Sequence, residues 1–296
     1  MKHKDIQEPS PSGTNILIDP CQMILIPEGE FNMGNSSPEE TEFPGNEYPL
    51  HKVFVSSFKI SRYLVTNELW KEVLDWAKAN GYEFEDVDRE KNYGHPVTLV
   101  NWYDAVKWCN ALSEMEGKMS AYYTDGDQTN IYRKERSNLR SDKVKWNSGY
   151  RLLTEAEWEK AARGGLDGHY FPWLSTGGTY VNHIDCGKAN YLDCNKGGTT
   201  PVGSYPPNGY NLYDMAGNVA EWVFDFFHSG WYQDEEASRP NTCGPQRKKP
   251  PWTRVIRGGS FNTGPRDLRC SYRGMKIVDS GVNEIGFRVA LGGLQE

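Results

Sequence analysis

From Gly165 to the carboxyl terminus, glycine, asparagine and proline recur every few residues, as in Gly177-Gly178, Gly197-Gly198 and Pro206-Pro207. Because these residues favour turns and interrupt helices, the pattern predicts short strands and turns there, with no helix. The chain also contains 10 Trp, 17 Tyr and 11 Phe residues. Large aromatic side chains can fill the gaps between few regular elements, so together these features predict a loop-rich fold.

Three helices are predicted before that point. The first covers Thr66–Asn80, and the second begins at the cap residue Asn101. The third begins at Thr154, which Glu157 follows three positions later. This spacing predicts a capping box, in which the hydroxyl and the carboxylate each bind the other residue's backbone amide. The third helix should end at the glycine pair that comes after it.

The amino-terminal part predicts strands over Met23–Pro27, Glu30–Met33 and His51–Arg62, where apolar residues cluster or alternate. Residues 1–20 are polar and contain Pro and Ser, so we expect a flexible lead-in. No shift in composition divides residues 21–296. We therefore expect a single α+β domain.

Charge and hydrophobicity exclude two classes of partner. The net charge of −7 argues against binding to a nucleic-acid backbone, because no basic stripe is available to displace counterions. The amino terminus lacks an apolar segment of signal-peptide length, and no later run is long enough to cross a bilayer. We expect a cytoplasmic monomer, or an exported one if a leader has been removed.

The six cysteines are scattered without a CxxC pair, which is typical of neither a zinc site nor a dense disulfide framework. Reduced thiols are therefore the expectation. Cys186 and Cys194 nevertheless lie close enough in sequence to pair in an oxidising compartment.

The segment that best suits a metal ion is Asn208–Asp225, which reads NGYNLYDMAGNVAEWVFD. Asp214, Asn218 and Glu221 supply side-chain oxygens at close spacing, as a hard cation such as Ca²⁺ prefers. Nearby carbonyl oxygens could complete the shell, and the aromatic residues at its end would bury the loop. The alternative is an ordinary Asp/Asn/Gly turn followed by a core strand.

Five motifs succeed one another along the chain: Met33-Gly34, RLLTEAEWEKAARGG, PVGSYPPNGYNLYDMAGNVAEW, RVIRGGS and IGFRVA. In this order they resemble the formylglycine-generating enzyme, or sulfatase-modifying factor, family, from about Met23 to Ala290. The resemblance implies a single mixed α/β domain of C-type-lectin-like topology, with little regular structure and with structural calcium.

The resemblance also implies two calcium sites. The first matches two side chains and two backbone carbonyls: Asp214, Glu221, Gly217 and Val219. The second matches Asn190 and Tyr191, with Asp193 as the acidic partner. At this second site the chain departs from the family, because the loop before Thr199 is shorter.

Copper chemistry, by contrast, is expected to be absent. In formylglycine-generating enzymes two cysteines after the GGS motif bind copper, and Cu(I) prefers such thiolates. Here Thr263 stands at the first position, and no cysteine near Leu268 replaces the second. Cys270 matches a cysteine that forms a structural disulfide in some members, but its partner position is Ala162. We expect Cys270 to be buried and unpaired, and we assign no redox metal.

The resulting prediction is an oxidative or tailoring enzyme that acts on a peptide or small natural product in a surface groove. The pyoverdine-maturation relative supports this by analogy, since the fold is there associated with oxidation without the cysteine pair. Eight polar residues are candidates for orienting a substrate and moving protons: Ser260, Asn262, Thr263, Arg266, Arg269, Tyr272, Arg273 and Glu284.

Three alternatives remain open at this point. The arginines could instead form structural pairs with acids of the fold. The protein could be a calcium-stabilised ligand- or protein-binding module, such as a variable protein of a diversity-generating retroelement. The segment GPRDLRCSYRGMKIVDSGVNE, however, lacks the runs of Asn and Tyr often seen in those proteins. The protein could also be a sulfatase activator that uses atypical residues.

Overall fold

The computed structural model describes residues 21–36, 45–87, 92–173, 184–246 and 250–293. The expected lead-in, residues 1–20, lies outside this part of the chain. Within these ranges the protein has few helices, many short strands and long connections, as predicted. No helix there is long and apolar enough to cross a membrane.

All three predicted helices form, and each is capped by the predicted side chain. They are α1 (Asn67–Ala79), α2 (Trp102–Met115) and α3 (Glu155–Arg163). Thr66 and Asn101 each accept a hydrogen bond from the backbone amide three residues on, at 3.3 and 2.9 Å. The capping box of α3 is complete, because Thr154 and Glu157 each bind the other's amide, at 3.2 and 2.9 Å. Local sequence alone therefore determines the start of each helix.

Ten strands form in the described residues, in three sheets. They are β1 (Met23–Ile26), β2 (Gly29–Met33), β3 (His51–Val55), β4 (Phe58–Ser61), β5 (Tyr150–Arg151), β6 (Ala220–Phe226), β7 (Thr253–Arg257), β8 (Gly274–Ile277), β9 (Ile285–Gly286) and β10 (Ala290–Leu291). The strand orders are β1-β4-β10-β5, β2-β3 and β8-β7-β6-β9. All pairs are antiparallel except β6 with β9, which run parallel.

The prediction of one strand over His51–Arg62 is wrong, because the structure divides this segment into β3 and β4. Strand β3 pairs with β2, whereas β4 lies in another sheet between β1 and β10. The break falls at Ser56, whose amide donates to the Asn241 side chain at 2.8 Å instead of to a neighbouring strand. The buried apolar residues change from odd positions (Val53, Val55) to even positions (Phe58, Ile60) at this break. That shift alone does not show that the two halves join different sheets.

Strand β6 lies at the centre of the core, and all seven of its residues are buried. Helix α2 packs against it through two indole hydrogen bonds. Trp102 donates to the Val223 carbonyl at 3.0 Å, and Trp222 donates to the Val100 carbonyl at 2.8 Å. The loop that precedes β6 is thereby anchored to the most buried part of the molecule.

Buried arginines tie loops and strands to helix α3 and to each other. Five of them pair with a glutamate at 2.6 to 2.8 Å, with each side chain at most 2% exposed: Arg151–Glu157, Arg257–Glu159, Arg269–Glu47, Arg273–Glu155 and Arg288–Glu221. Removing one partner of such a pair leaves a buried charge uncompensated. The pairs therefore fix how the irregular segments are arranged.

The expectation of reduced thiols is wrong for one pair, because Cys186 and Cys194 form a disulfide. Two tight turns bring them together: the Lys188 amide donates to the Asp185 carbonyl at 3.0 Å, and the Cys194 amide donates to the Tyr191 carbonyl at 2.9 Å. The other four cysteines, Cys21, Cys109, Cys243 and Cys270, are free thiols.

Candidate functional site

Asn218 joins three loops just before β6. Its side chain holds both backbone groups of Thr200, accepting from the amide at 3.0 Å and donating to the carbonyl at 3.1 Å. Its own amide donates to the Asn190 carbonyl at 2.8 Å, and its carbonyl accepts from the Phe261 amide at 2.9 Å. A side chain at Gly217 would place a Cβ 2.4 Å from the Asn190 carbonyl oxygen, so only glycine fits there. Asn218 is a support of the site rather than a free ligand.

The segment that comes after the GGS motif folds into a closed turn. The Thr263 amide donates to the Ser260 carbonyl at 3.1 Å, and the Ser260 amide donates to the Thr263 hydroxyl at 2.9 Å. The Ser260 hydroxyl accepts from the Asn262 amide at 3.2 Å. From the neighbouring loop, the Leu192 amide donates to the Thr263 carbonyl at 3.1 Å. Both hydroxyls therefore help to hold the turn in place.

An amide–carboxylate pair lies where this turn meets solvent. Asn262 is exposed, and its side-chain amide donates to the Glu284 carboxylate at 3.2 Å. The backbone carbonyl of Glu284 accepts from the Ala220 amide at 2.8 Å, which attaches it to the start of β6. The side chain of Leu192, 49% exposed, lies on the adjoining loop. The candidate site is thus formed by five residues: Leu192, Ser260, Asn262, Thr263 and Glu284.

Two of the candidate arginines lie in the core instead of in this site. Arg269 binds Glu47 through two hydrogen bonds of 2.7 Å. Arg273 binds Glu155 through two hydrogen bonds of 2.7 and 2.8 Å. Both arginines are about 2% exposed, so neither guanidinium is available to a ligand in solution. Arg269 and Arg273 therefore form structural ion pairs, which is the alternative that the sequence left open.

The other two candidates lie at the margin of the turn. The Tyr272 hydroxyl is hydrogen-bonded to the Asp267 carboxylate, and burial, with the charge of Asp267, raises the pKa of Tyr272 to about 12. Tyr272 is therefore a protonated hydrogen-bond donor near neutral pH. Arg266 is exposed on the adjoining segment.

The proposed first calcium site contains two buried carboxylates and one guanidinium. Both oxygens of Glu221 accept from Arg288, at 2.8 and 2.9 Å, and one also accepts from the Trp158 indole at 2.9 Å. Asp214 accepts from the Gly203 amide at 2.8 Å and, at 3.4 Å, from Asn218. Burial raises the pKa of Asp214, and the nearby charge of Glu221 adds to the rise. Arg288 pairs with Glu221, so ionised Asp214 would have no ion-pair partner of its own, and a cation there would offset the cost of its buried charge.

At the proposed second calcium site, only some of the predicted residues are placed to bind a cation. The side-chain oxygen of Asn190 is buried and accepts no hydrogen bond within the described residues, so it is suited to bind a cation. Tyr191 is buried beside it, whereas Asp193 is exposed in the short turn that the disulfide closes. In the described part of the chain, no three His, Cys, Asp or Glu side chains converge as metal ligands. At either site, carbonyl and amide oxygens would therefore have to complete the ligand shell of a cation.

The residues near Thr263 do not fit a copper site made of paired thiolates. Thr263 supplies a hydroxyl that is engaged within the turn. Cys270 is fully buried, and burial raises the pKa of its thiol to about 12. Ala162, the position of its partner in the family, packs in the same hydrophobic cluster. The thiol is therefore a small apolar core group rather than a metal ligand.

The sequence does not predict that Leu192 and Thr200 belong to this region. Both reach it through backbone amide and carbonyl groups, and these carry no information about residue type. Asn262 and Glu284, by contrast, were identified as polar candidates because of their place after the GGS motif.

Comparison with protein families matches residues 11–292 to the sulfatase-modifying factor enzyme 1-like domain. The formylglycine-generating enzyme of Thermomonospora curvata is 33% identical over 90% of this chain and 92% of its own length. The formylglycine-generating enzyme of Mus musculus is 31% identical over 91% of this chain and 74% of its own length.

Two solved structures share the fold. Treponema denticola variable protein 1 has a TM-score of 0.70 and 27% identity, covering 91% of this chain and 94% of its own. PvdO from Pseudomonas aeruginosa has a TM-score of 0.69 and 28% identity, covering 93% and 96%. These matches confirm the predicted loop-rich, formylglycine-generating-enzyme-like fold.

Proposed function

Because this chain belongs to the sulfatase-modifying factor enzyme 1-like family, we propose that it is a tailoring enzyme that oxidises or otherwise modifies a peptide or small natural product. Its similarity to a formylglycine-generating enzyme extends over 90% of the chain, which favours an activity of the same broad class. The proposed reaction proceeds without paired thiolates, because Thr263 offers a hydroxyl where that chemistry needs a thiol.

The observation that carries the proposal is the Asn262–Glu284 pair at the opening of the turn. In the proposed mechanism Glu284 accepts or returns a proton, and the Asn262 amide orients its carboxylate. Leu192 offers an exposed apolar contact beside them for the body of the ligand. The hydrogen bonds of Ser260 and Thr263 keep the pair in position, as catalytic geometry requires.

Calcium is proposed as a structural ion of this enzyme. Asp214 and the carbonyls of Gly217 and Val219 would hold it, with Glu221 contributing a lone pair beyond its bonds to Arg288. The ion would supply positive charge to a buried acidic loop, and it takes no part in the chemistry. Asn190 is the proposed donor of a second, incomplete site.

The binding-module alternative is less well supported. A surface that varies freely needs positions whose side chains do not contribute to the core. In the segment after the GGS motif, Arg269 and Arg273 are buried and paired with acids more than one hundred residues away. Substitution at either position would destabilise the protein.

The first experiment tests for the reaction of the family's best-known members. Purified protein is supplied with Cu(I), oxygen and a cysteine-containing sulfatase-type peptide, and the products are analysed by mass spectrometry together with oxygen uptake and metal content. We expect no formylglycine and no thiol-dependent oxygen uptake. Turnover of the peptide with stoichiometric copper would identify a sulfatase activator and refute the proposal.

The second experiment tests the site. Peptides and natural products encoded by neighbouring genes are screened for a thermal shift, and hits are assayed for modification with Glu284→Gln, Asn262→Ala and, as a control, Glu235→Gln at an exposed position. We expect Glu284→Gln to bind the ligand but to lose turnover by about 100-fold or more. Equal turnover would remove Glu284 from the mechanism. Binding without modification by the wild type would favour the binding module.

A further inference from the structure

Apart from the candidate site, a cleft of about 360 Å³ lies between strands β2 and β3 and the end of helix α3. Its lining includes Lys160 and Tyr210, together with four charged side chains: Glu30, Lys52, Arg163 and Asp167. None of the five residues of the candidate site contributes to it. Chemistry in this cleft is therefore independent of the proposed function.

Lys160 is a buried lysine with an unusual set of partners. It is 6% exposed, and its Nζ donates to the Gly29 carbonyl at 2.8 Å and to the Val55 carbonyl at 3.4 Å. No carboxylate of the described residues forms an ion pair with it. An ammonium has three donors to satisfy, whereas a neutral amine has two N–H groups and a lone pair. Two carbonyl acceptors and no counter-ion therefore suit the neutral amine.

The other charges around the cleft are largely compensated. Arg163 pairs with Glu159 at 2.7 Å, and Asp167 accepts two hydrogen bonds from Asn32. Lys52 is 3.7 Å from Glu30, and both are well exposed. Burial lowers the pKa of Lys160, and only the more distant charge of Glu28 opposes this. Burial, with no ion-paired carboxylate among the described residues, therefore shifts Lys160 towards its neutral amine.

Tyr210 supplies a hydroxyl in the same cleft. Its ring lies against Gly165, where an added Cβ would be 3.5 Å from the hydroxyl oxygen. No hydrogen bond to this hydroxyl occurs among the residues that the structure describes, and burial raises its pKa. Tyr210 is therefore a protonated, uncommitted donor that lines the same cleft as Lys160.

We propose that Lys160 is a reactive amine that forms an imine with a small aldehyde or ketone bound in this cleft. The nitrogen lone pair adds to the carbonyl carbon, and Tyr210 passes a proton to the carbonyl oxygen while the nitrogen releases one. Tyr210, reprotonated by the proton that the nitrogen released, then protonates the new hydroxyl group, which leaves as water. The nitrogen gives up its second proton to Tyr210, and a neutral C=N bond remains. The step needs no oxidant or reductant.

The experiment uses the intact protein and pyridoxal as the carbonyl probe. After a short incubation at about pH 7 the imine is reduced with borohydride, and the adducts are located by peptide mass spectrometry. We expect Lys160 to be labelled at least about fivefold faster than Lys52, because the neutral amine is the reacting form. Lys52 lines the same cleft with a 71% exposed side chain, so it is an internal comparison for access.

Two variants sharpen the result. Lys160→Met should lose this adduct while Lys52 is still labelled, and Tyr210→Phe should slow labelling of Lys160 by about threefold or more. Labelling of Lys160 that is no faster than that of Lys52 overturns the proposal, and this comparison within the wild type does not depend on how well a variant folds. An unchanged rate in Tyr210→Phe overturns the role of the hydroxyl.

Discussion

At the scale of single residues, the candidate site is defined by which polar groups are already committed to hydrogen bonds. Ser260, Thr263 and Asn218 use their side chains to hold loops together. Asn262 and Glu284 bond mainly to each other and stay accessible. Chemistry at this surface therefore depends on the accessible pair, while the committed residues determine its geometry.

Cysteine reactivity provides a prediction at this scale. Burial raises the pKa of both Cys270 and Cys243 to about 12, so neither thiolate forms near neutral pH. We expect a thiol-specific disulfide reagent to react slowly with the native protein at about pH 7. After unfolding without reductant it should titrate the four free thiols, and all six cysteines after reduction. Rapid native labelling at Cys270 would contradict its assignment to the core.

Residue types alone predicted some of these roles and not others. The Thr154–Glu157 capping box depends on neighbouring residues, so the sequence suffices. Arg269 is a candidate for substrate binding in the sequence because of its place after the GGS motif. Its partner, Glu47, is 222 residues away in the chain, so the sequence does not reveal the pair. The sequence alone does not show whether an arginine faces a groove or pairs with a buried acid. Only the three-dimensional arrangement decides between the two.

At the scale of elements, two loops lie next to the candidate site, and both place side chains in a shared hydrophobic cluster, such as Tyr191 and Ala216. The Asn208–Asp225 segment is predicted to hold calcium, and its Asp214 and Glu221 carboxylates lie near a single arginine, Arg288. The neighbouring loop closes on the disulfide between Cys186 and Cys194. Each loop contributes a backbone contact to the site, through Asn218 and Leu192 respectively.

The calcium prediction is tested by thermal unfolding with and without chelator. An ion that binds only the folded state stabilises it by about 2.7 kcal/mol at a concentration of 100 times Kd. We expect chelation to lower the Tm of the wild type and Asp214→Ala to be less stable and insensitive to Ca²⁺. Asp127→Asn, at an exposed position outside both proposed calcium sites, serves as the control for loss of charge. A wild-type Tm that does not respond to chelator would mean that the loop is an ordinary turn.

The disulfide prediction concerns a loop with a sequence separation of 8 residues. Closing a loop of this length removes conformational entropy from the unfolded chain, which stabilises the fold by about 2.5 kcal/mol. We expect a Cys186→Ser, Cys194→Ser double variant to lower the urea midpoint while retaining the fold. Cys243→Ser, which removes a free thiol, should change it less. If reductant leaves the wild-type midpoint unchanged, the cross-link contributes little.

At the scale of the whole molecule, the order of five motifs was enough to predict the fold, because each motif marks an element that packs in the core. The division of His51–Arg62 between two sheets was not predictable, since it depends on Asn241 in a distant loop. The expectation of a reduced Cys186 was wrong because the sequence carries no information on redox state. The general fold is determined by local patterns, whereas the details of the site depend on long-range contacts.

Buried ion pairs also make the stability of the whole fold depend on pH. Burial opposes ionisation of Glu155, but the guanidinium groups of Arg273 and Arg257 outweigh it and lower the pKa of this carboxyl. The folded state thus holds its proton less tightly than the unfolded chain does. The resulting stabilisation is fully present above the unfolded pKa and is lost as the pH falls towards the lower folded value.

We therefore expect the contribution of Glu155 to the urea midpoint to be nearly constant above about pH 5 and to fall steadily below it. Glu155→Gln should cost about 3 to 5 kcal/mol near neutral pH, because it leaves Arg273 buried without its counter-charge. Its midpoint should also depend less on acid, since one of the titrating groups is gone. Glu72→Gln, at an exposed position on helix α1, should reproduce the wild-type profile. An acid profile of Glu155→Gln as steep as that of the wild type would assign the acid sensitivity to other carboxylates and leave this pair with a purely geometric role.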